Sequence, residues 1–123
     1  MQRRVTILDS TLRDGAQGEG ISFSVEDKLG IVRALDGLGV TYLEAGNPAS
    51  NPKELEFFDR AAGLHLKNAS LVAFGSTFRK DRSPGEDANC LALLQANTPV
   101  VSIFGKCWDL HVREILRTTP EEN

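Results

Sequence analysis

The stretch "LDSTLRDGAQGEG", residues 8–20, predicts the first of a series of strand–loop–helix units. An apolar run over residues 5–8 predicts a short buried strand, and a loop with three glycines within six residues follows it. Arg13 and Asp14 stand side by side where this loop begins. Two interpretations of the pair are open: it forms an ion pair on the surface, or Asp14 holds a cation and Arg13 faces an anion in a pocket.

Three further strands are predicted at a regular spacing after this stretch. They lie at residues 40–46, 70–75 and 99–105. Each begins about thirty residues after the strand before it, which is the length of a strand–helix–strand crossover. Strands that alternate with helices predict the α/β class with a parallel sheet. Because such sheets carry their active sites at the carboxyl ends of the strands, we expect functional residues in the loops that follow them.

The predicted helices between the strands have recognisable boundaries. A helix over residues 24–39 ends at Gly39, a second one ends at Gly63, and a third is predicted over residues 86–97. The first two begin at residues whose side chains can accept a hydrogen bond from the first helical turn. In the first helix the N-cap is Ser24, with Asp27 three residues later. In the second helix the N-cap is Asn51, with Pro52 at the first helical position and Glu54 at the capping-box position.

The final residues, "TTPEEN", predict the start of another helix. Thr119 is a good N-cap, Pro120 suits the first helical position, and Glu122 completes a capping box. An open parallel sheet would need a further strand, and a (β/α)₈ barrel of about 250 residues would need further units. We therefore expect residues 1–123 to be the N-terminal part of a longer protein.

The composition excludes several classes of function. With 41% hydrophobic and 25% charged residues, the chain has the balance of a globular protein. Its net charge is −3 and its Lys and Arg residues are scattered, so we expect no nucleic-acid partner. The apolar start is too short for a signal-peptide core, which predicts a cytoplasmic protein with no membrane partner. Cys90 and Cys107 lack metal-type spacing and are interpreted as idle thiols.

Residues 9–17, "DSTLRDGAQ", match the signature D-[TS]-T-L-R-D-G-x-Q of a family of metal-dependent barrel enzymes. That family includes 2-isopropylmalate synthase, homocitrate synthase, citramalate synthase and 3-hydroxy-3-methylglutaryl-CoA lyase. The resemblance continues through "YLEAGNPASNP", "LVAFGSTFRK" and "IFGKCWDLHV", and these segments look most like the citramalate synthase branch. It implies that residues 1–123 are about four βα units, the first half of a TIM (β/α)₈ barrel, with the rest of the barrel and any regulatory domain absent.

The resemblance also implies roles for individual residues. Asp14 resembles the carboxylate ligand of a catalytic divalent cation, Mg²⁺ or Mn²⁺, with Zn²⁺ as a further candidate. Arg13 resembles the catalytic cation that stabilises negative charge on the reacting oxygen, and Glu44 an acidic catalytic residue beside the metal. His111 resembles a substrate-binding pocket histidine of the synthases. From the residues themselves, Gln17 is expected to help position the substrate, and two interpretations of Arg79 are open: it attracts the anionic coenzyme or oxo acid, or it is a solvated surface charge. The metal-ligating histidines of the family fall outside residues 1–123, so we expect these residues alone to be inactive.

The reaction implied by the resemblance is an acyl transfer. Acetyl-CoA would condense with a 2-oxo acid, with pyruvate giving citramalate, by metal-assisted Claisen addition and thioester hydrolysis, in isoleucine and leucine biosynthesis. A hard cation would polarise the ketone, and the planar fork of Arg13 would face the developing oxyanion. The expected partners are acetyl-CoA, the 2-oxo acid and a second copy of the full-length protein. Two alternatives stay open: a lyase or aldolase of the same barrel family, and a non-catalytic anion-binding module.

Overall fold

The computed structural model describes residues 5–123. Within that range the sheet has four strands in the order β1-β2-β3-β4, and every neighbouring pair is parallel. The elements run β1 Leu8–Asp9, α1 Val25–Gly37, β2 Tyr42–Gly46, α2 Pro52–Ala61, β3 Ser70–Ser76, α3 Ala88–Gln95 and β4 Val100–Phe104. The predicted α/β class with parallel βα units is confirmed. None of the helices in this range has the length and apolar character needed to cross a membrane.

The first strand differs from its prediction. It spans Leu8–Asp9 rather than residues 5–8, and the apolar residues there are exposed, with 81% of the surface of Val5 and 58% of that of Ile7 accessible. The predicted burial of this run is therefore wrong. Within residues 5–123, β1 has a neighbouring strand on one side only, through the pairs Leu8–Tyr42 and Asp9–Leu43, so no second strand covers it. The other predicted strands and helices end within about two residues of their observed bounds.

Two short helical segments lie in the loops that follow β1 and β4. A 3₁₀ turn spans Gly15–Gln17, and a π-helix spans His111–Leu116. The π-helix was not predicted from the sequence. It ends at Arg117, which has a φ of 53° and donates its backbone N–H to the Val112 carbonyl. At Thr119 the hydroxyl accepts from the Glu122 amide at 3.3 Å, as a cap would. The predicted helix and capping box are not formed, because residues 120–122 make a turn and the Glu122 carboxylate accepts from the Thr118 hydroxyl.

Both predicted N-caps of α1 and α2 are present. Ser24 Oγ accepts from the Asp27 amide at 3.1 Å, and the Asp27 carboxylate accepts from the Ser24 amide at 2.8 Å. Asn51 Oδ1 accepts from the Glu54 amide at 3.0 Å. The prediction that the Glu54 side chain completes a capping box is wrong, since its carboxylate binds Lys28 of α1 instead. That contact joins the beginnings of the two helices.

The core lies between one face of the sheet and the helices. Alternate residues of β2 and β3 point into it, in accordance with the two-residue period of a strand. The buried residues that form this layer are Leu43, Ala45, Leu71 and Ala73 from the strands, and Val32, Phe57, Phe58 and Leu93 from the helices. Glu44 and Val72, which pair across β2 and β3, therefore belong to the opposite face of the sheet.

The loop before β3 is held by a buried carboxylate of α1. Asp36 accepts hydrogen bonds from the amides of Lys67, Asn68 and Ala69 at 2.8–3.0 Å. These bonds favour the charged form and hold the pKa of Asp36 below its ordinary value. The contact lies at the C-terminal end of α1, away from the carboxyl ends of the strands.

Candidate active site

The carboxyl ends of β1 and β2 bring three predicted site residues together. Arg13 Nε donates to Glu44 Oε2 at 2.6 Å, and Arg13 Nη1 donates to Asp14 Oδ1 at 2.9 Å. The Glu44 side chain is 5% exposed, that of Arg13 23%, and that of Asp14 64%. Arg13 thus binds both a buried carboxylate, Glu44, and an exposed one, Asp14, so the Arg13–Asp14 pair is not an isolated surface ion pair.

An aromatic ring of β3 also contacts Arg13. The guanidinium carbon lies 4.3 Å from the centroid of the Phe74 ring, a cation–π distance. With Nε and Nη1 engaged by the two carboxylates, Nη2 donates to no protein acceptor within residues 5–123. An anionic oxygen can use this donor, because the contacts to Glu44 and Phe74 already fix the plane of the guanidinium.

The loop after β1 is folded by hydrogen bonds close to the strand end. The Asp9 carboxylate accepts from the amide and the hydroxyl of Thr11, both at 3.0 Å. The Ser10 carbonyl accepts from the three successive amides of residues 13–15 at 2.8–3.2 Å. Leu12, which is 2% exposed, anchors the turn in the core. These contacts fix the backbone from which the side chains of Arg13 and Asp14 extend.

A cleft of about 350 Å³ opens beside Arg13, between the loops that follow β1 and β2. Gln17 lines it, as do Asn47, Lys53 and the ring of Phe74. The volume is within the range of small-molecule sites, and the mixture of apolar walls with a few polar groups is typical of them. The structure therefore brings Gln17 and Arg13 to one cleft.

The same cleft contains a buried ion pair that the sequence analysis missed. Lys28 is 2% exposed, and its Nζ donates to both carboxylate oxygens of Glu54 at 2.7 Å. Burial lowers the pKa of the Lys28 ammonium, and the Glu54 carboxylate opposes that shift. A signal for this pair was present, because Lys28 lies three residues after Val25 and four before Val32, on the apolar stripe of α1.

Arg79 lies apart from the Arg13 cluster. It lines a second cleft of about 340 Å³, together with Arg82, Asn47 and Asn89. Its backbone amide donates to the Asp87 carboxylate at 3.2 Å, and its guanidinium forms no ion pair within residues 5–123. Since Asn47 lines both clefts, they adjoin at the loop after β2.

His111 lies at the start of the π-helix that follows β4. Its ring is half-buried and packs edge-to-face on Trp108, with the ring centroids 4.7 Å apart. It does not line the cleft beside Arg13. The structure thus places His111 after a strand end, as predicted, and does not bring it into contact with the other site residues.

The donor atoms near Arg13 suit a hard cation that takes few ligands from this chain. No group of three or more His, Cys, Asp or Glu side chains within residues 5–123 converges as a metal site. The exposed Asp14 carboxylate has one oxygen, Oδ2, that accepts no hydrogen bond from this part of the protein. Carboxylate oxygens are preferred by Mg²⁺ and Mn²⁺. Asp14 therefore fits the role of a single ligand.

Comparisons with known proteins place the chain in a family. The family model described as HMGL-like matches residues 4–123. The (R)-citramalate synthases of Aquifex aeolicus and Geobacter sulfurreducens are 53% and 50% identical over 100% and 97% of this chain. A 2-isopropylmalate synthase of Pyrococcus furiosus is 37% identical over 99% of it. The chain spans only 22–23% of the length of these relatives.

A solved structure shows the same fold. The B. subtilis HMG-CoA lyase superposes with a TM-score of 0.66 at 21% sequence identity. The match covers 98% of this chain and 39% of the lyase chain. The four parallel βα units described above therefore correspond to a continuous part of a larger known fold.

Proposed function

Because this chain belongs to the HMGL-like family, we propose that it supplies the first four βα units of a (β/α)₈ barrel with citramalate synthase activity. Identity is 46–53% to five (R)-citramalate synthases and 33–37% to three 2-isopropylmalate synthases, which supports pyruvate as the 2-oxo acid. The observation that carries the proposal is Arg13, fixed by Glu44 and Phe74 beside the exposed carboxylate of Asp14.

Arg13 is proposed to stabilise the charge that develops during carbon–carbon bond formation. In a Claisen addition, the methyl carbon of acetyl-CoA loses a proton and attacks the ketone of the 2-oxo acid, and negative charge builds up on the ketone oxygen. A fixed donor aimed at that oxygen lowers the barrier, because it need not reorganise as the charge forms. The Nη2 of Arg13, which has no protein acceptor in the described part of the chain, is such a donor.

Asp14 is proposed to be the ligand that this chain contributes to a Mg²⁺ or Mn²⁺ ion. When bound, the ion would act as a Lewis acid toward the ketone of the 2-oxo acid. Asp14 follows Arg13 directly in the chain, so the ligand and the oxyanion donor are held by the same turn. Glu44 orients Arg13 from the other side, and its buried carboxylate balances the guanidinium charge.

The two adjoining clefts are proposed to bind the two substrates. Gln17 lies with Arg13 in the first cleft, which suits the small oxo acid. The second cleft is lined by the guanidinium groups of Arg79 and Arg82 and by one carboxylate, Asp87, which is engaged by backbone amides. The two guanidinium groups suit the anionic part of acetyl-CoA. His111, after β4, lies at the same end of the sheet and is retained as a substrate-binding residue on the family resemblance.

An assay of the protein that carries this chain within the proposed barrel tests the function. Acetyl-CoA and Mn²⁺ are supplied with pyruvate, 2-oxoisovalerate or 2-oxoglutarate, and release of the CoA thiol is followed. We expect thiol release with pyruvate to exceed that with the bulkier oxo acids. Absence of thiol release with every oxo acid would contradict a synthase, and cleavage of an acyl-CoA substrate would instead indicate a lyase.

A further inference from the structure

We infer that the buried pair of Lys28 and Glu54 positions Arg13, by bracing the end of β2 that carries Glu44. Neither member of the pair contacts Arg13 through a hydrogen bond. Both act through the backbone of Gly46, so they are positioning residues and not catalytic ones. The kinetic consequence rests on the proposed function, whereas the geometry of the Arg13–Glu44 contact can be measured without it.

The pair is a fixed connection between two helices. Lys28 lies in the first turns of α1, and Glu54 lies in the first turn of α2. Two bonds of 2.7 Å hold the ammonium on the carboxylate, and the ammonium also lies 4.5 Å from the centroid of the Phe57 ring. Asn51 caps the amide of Glu54, so the backbone beneath the carboxylate is fixed as well.

The pair occupies the space where a side chain at position 46 would lie. A Cβ added to Gly46 would be 1.9 Å from Glu54 Oε2 and 2.9 Å from Lys28 Nζ. Gly46 has a φ of 143°, which other residues rarely adopt. The end of β2 therefore packs directly against the ion pair through the backbone of Gly46.

The position of Glu44 depends on this strand end. The pairing of β2 with β3 shifts between Glu44 and Gly46, where Glu44 pairs with Val72 but Gly46 pairs with Ala73. Such a bulge interrupts the ladder and redirects a side chain. Here the extra, unpaired residue is Ala45, directly after Glu44, and the Glu44 carboxylate accepts its 2.6 Å hydrogen bond from Arg13 and from no other group within residues 5–123. A movement of Gly46 would thus be transmitted to the Arg13 contact.

Stability alone is a weak explanation for a buried ion pair at this place. Removing both charges from water is costly, and well-packed apolar residues in place of such a pair are often at least as stable. An ion pair does supply a contact of fixed direction and length, which apolar packing does not. Because the ion pair lies against Gly46, its fixed direction and length can hold the end of β2 in one position.

The first test follows the Arg13–Glu44 contact by NMR in the folded protein. The Nε–H resonance of Arg13 is assigned by its disappearance in Arg13→Lys. We expect Lys28→Met and Gly46→Ala to shift this resonance toward the position of a solvated arginine and to speed its exchange with water. Asp36→Asn is the matched control, because it removes a buried charge from the far end of α1 and should leave the resonance unchanged.

The second test is a double-mutant cycle in turnover. We expect Lys28→Met to lower kcat by roughly ten- to a hundredfold with a much smaller change in KM for pyruvate, as for a small misplacement of a catalytic group. In an Arg13→Lys background the same substitution should cost far less, because both changes remove one interaction. If Lys28 contacted substrate directly, KM would rise and the two effects would add.

The two tests separate the failure of each idea. An unshifted Arg13 resonance in folded Lys28→Met and Gly46→Ala would overturn the positioning role, as would additive kinetic effects. Absence of turnover in the unsubstituted protein would count against the proposed function and leave the NMR result to decide the positioning role. Where Lys28→Met does not fold, Glu54→Gln keeps the side-chain shape and an acceptor oxygen, and it is expected to produce a smaller shift in the same direction.

Discussion

Arg13 and Glu44 are 31 positions apart in the sequence, and a 2.6 Å hydrogen bond from Nε to Oε2 joins them at the carboxyl ends of β1 and β2. Within residues 5–123 the Nη2 of Arg13 has no protein acceptor, so this nitrogen can donate to another oxygen. Arg13 and Asp14 are therefore not a simple surface ion pair, because Arg13 also binds Glu44, whose side chain is only 5% exposed.

Arg13→Lys is expected to lower kcat by a factor on the order of 10² to 10³, as for loss of one oxyanion donor, with KM for pyruvate changed much less. Lysine keeps the charge but cannot hold Glu44 and offer a second donor in one plane. Steady-state kinetics at saturating metal measures both constants. A kcat close to that of the unsubstituted protein would contradict the proposed role of Arg13.

Asp14→Asn is expected to weaken metal binding, and excess Mg²⁺ or Mn²⁺ should recover part of the activity. The reason is that the amide keeps one oxygen donor but loses the charge. Titration of activity with Mn²⁺ measures the effect. Asp109→Asn is a suitable control, because Asp109 is also an exposed carboxylate paired with an arginine, and it lies outside both clefts. An equal metal dependence in the two variants would contradict the assignment.

The stability contributed by Asp36 is expected to depend on pH. Its folded-state pKa lies below the ordinary value, so its contribution is fully present above the unfolded pKa of about 4 and is lost as pH falls through the folded pKa. Urea unfolding at pH 7 should show Asp36→Asn to be less stable than the unsubstituted protein. The difference should narrow as the pH is lowered from 5 toward 3. A difference that stays constant over that range would contradict the hydrogen-bonding explanation.

The two cysteines are expected to react at different rates with iodoacetamide. Cys107 is exposed, whereas Cys90 is partly buried, and burial together with the nearby Asp87 carboxylate raises the pKa of the Cys90 thiol. Because the thiolate is the reactive form, Cys107 should be modified first near pH 8. Peptide mass mapping over time gives the two rates. Faster labelling of Cys90 would show that α3 opens readily.

Local patterns in the sequence were enough to predict most of the fold. The caps at Ser24 and Asn51 depend on residues three positions away, so their hydrogen bonds could be predicted without knowledge of the packing. The strand spacing was equally informative, because a parallel sheet follows from strand–helix alternation. The exposure of residues 5–8 could not be predicted in this way, since it depends on which strands lie beside β1.

The site was harder to predict because its contacts join distant parts of the chain. Glu44 stood out as a carboxylate in an apolar strand, and its pairing with Arg13 required the register of β1 and β2. The Lys28–Glu54 contact spans 26 positions and depends on how α1 packs on α2, whereas the local pattern assigned Glu54 to a cap. Arg79, from its charge, and His111, from the family resemblance, were predicted to bind substrate together with the Arg13 site, and the structure places them elsewhere along the same end of the sheet.

The shortness of β1 has a consequence for local opening of the backbone hydrogen bonds in the sheet. This strand is joined to β2 by the register pairs Leu8–Tyr42 and Asp9–Leu43, whereas β3 and β4 share a ladder running from Val72–Val100 to Ser76–Phe104. Segments with few protected backbone hydrogen bonds exchange their amide protons through low-energy local openings. The loop that holds Arg13 and Asp14 follows the strand with the shorter ladder, so we expect its backbone amides to exchange faster than those of the β3–β4 ladder.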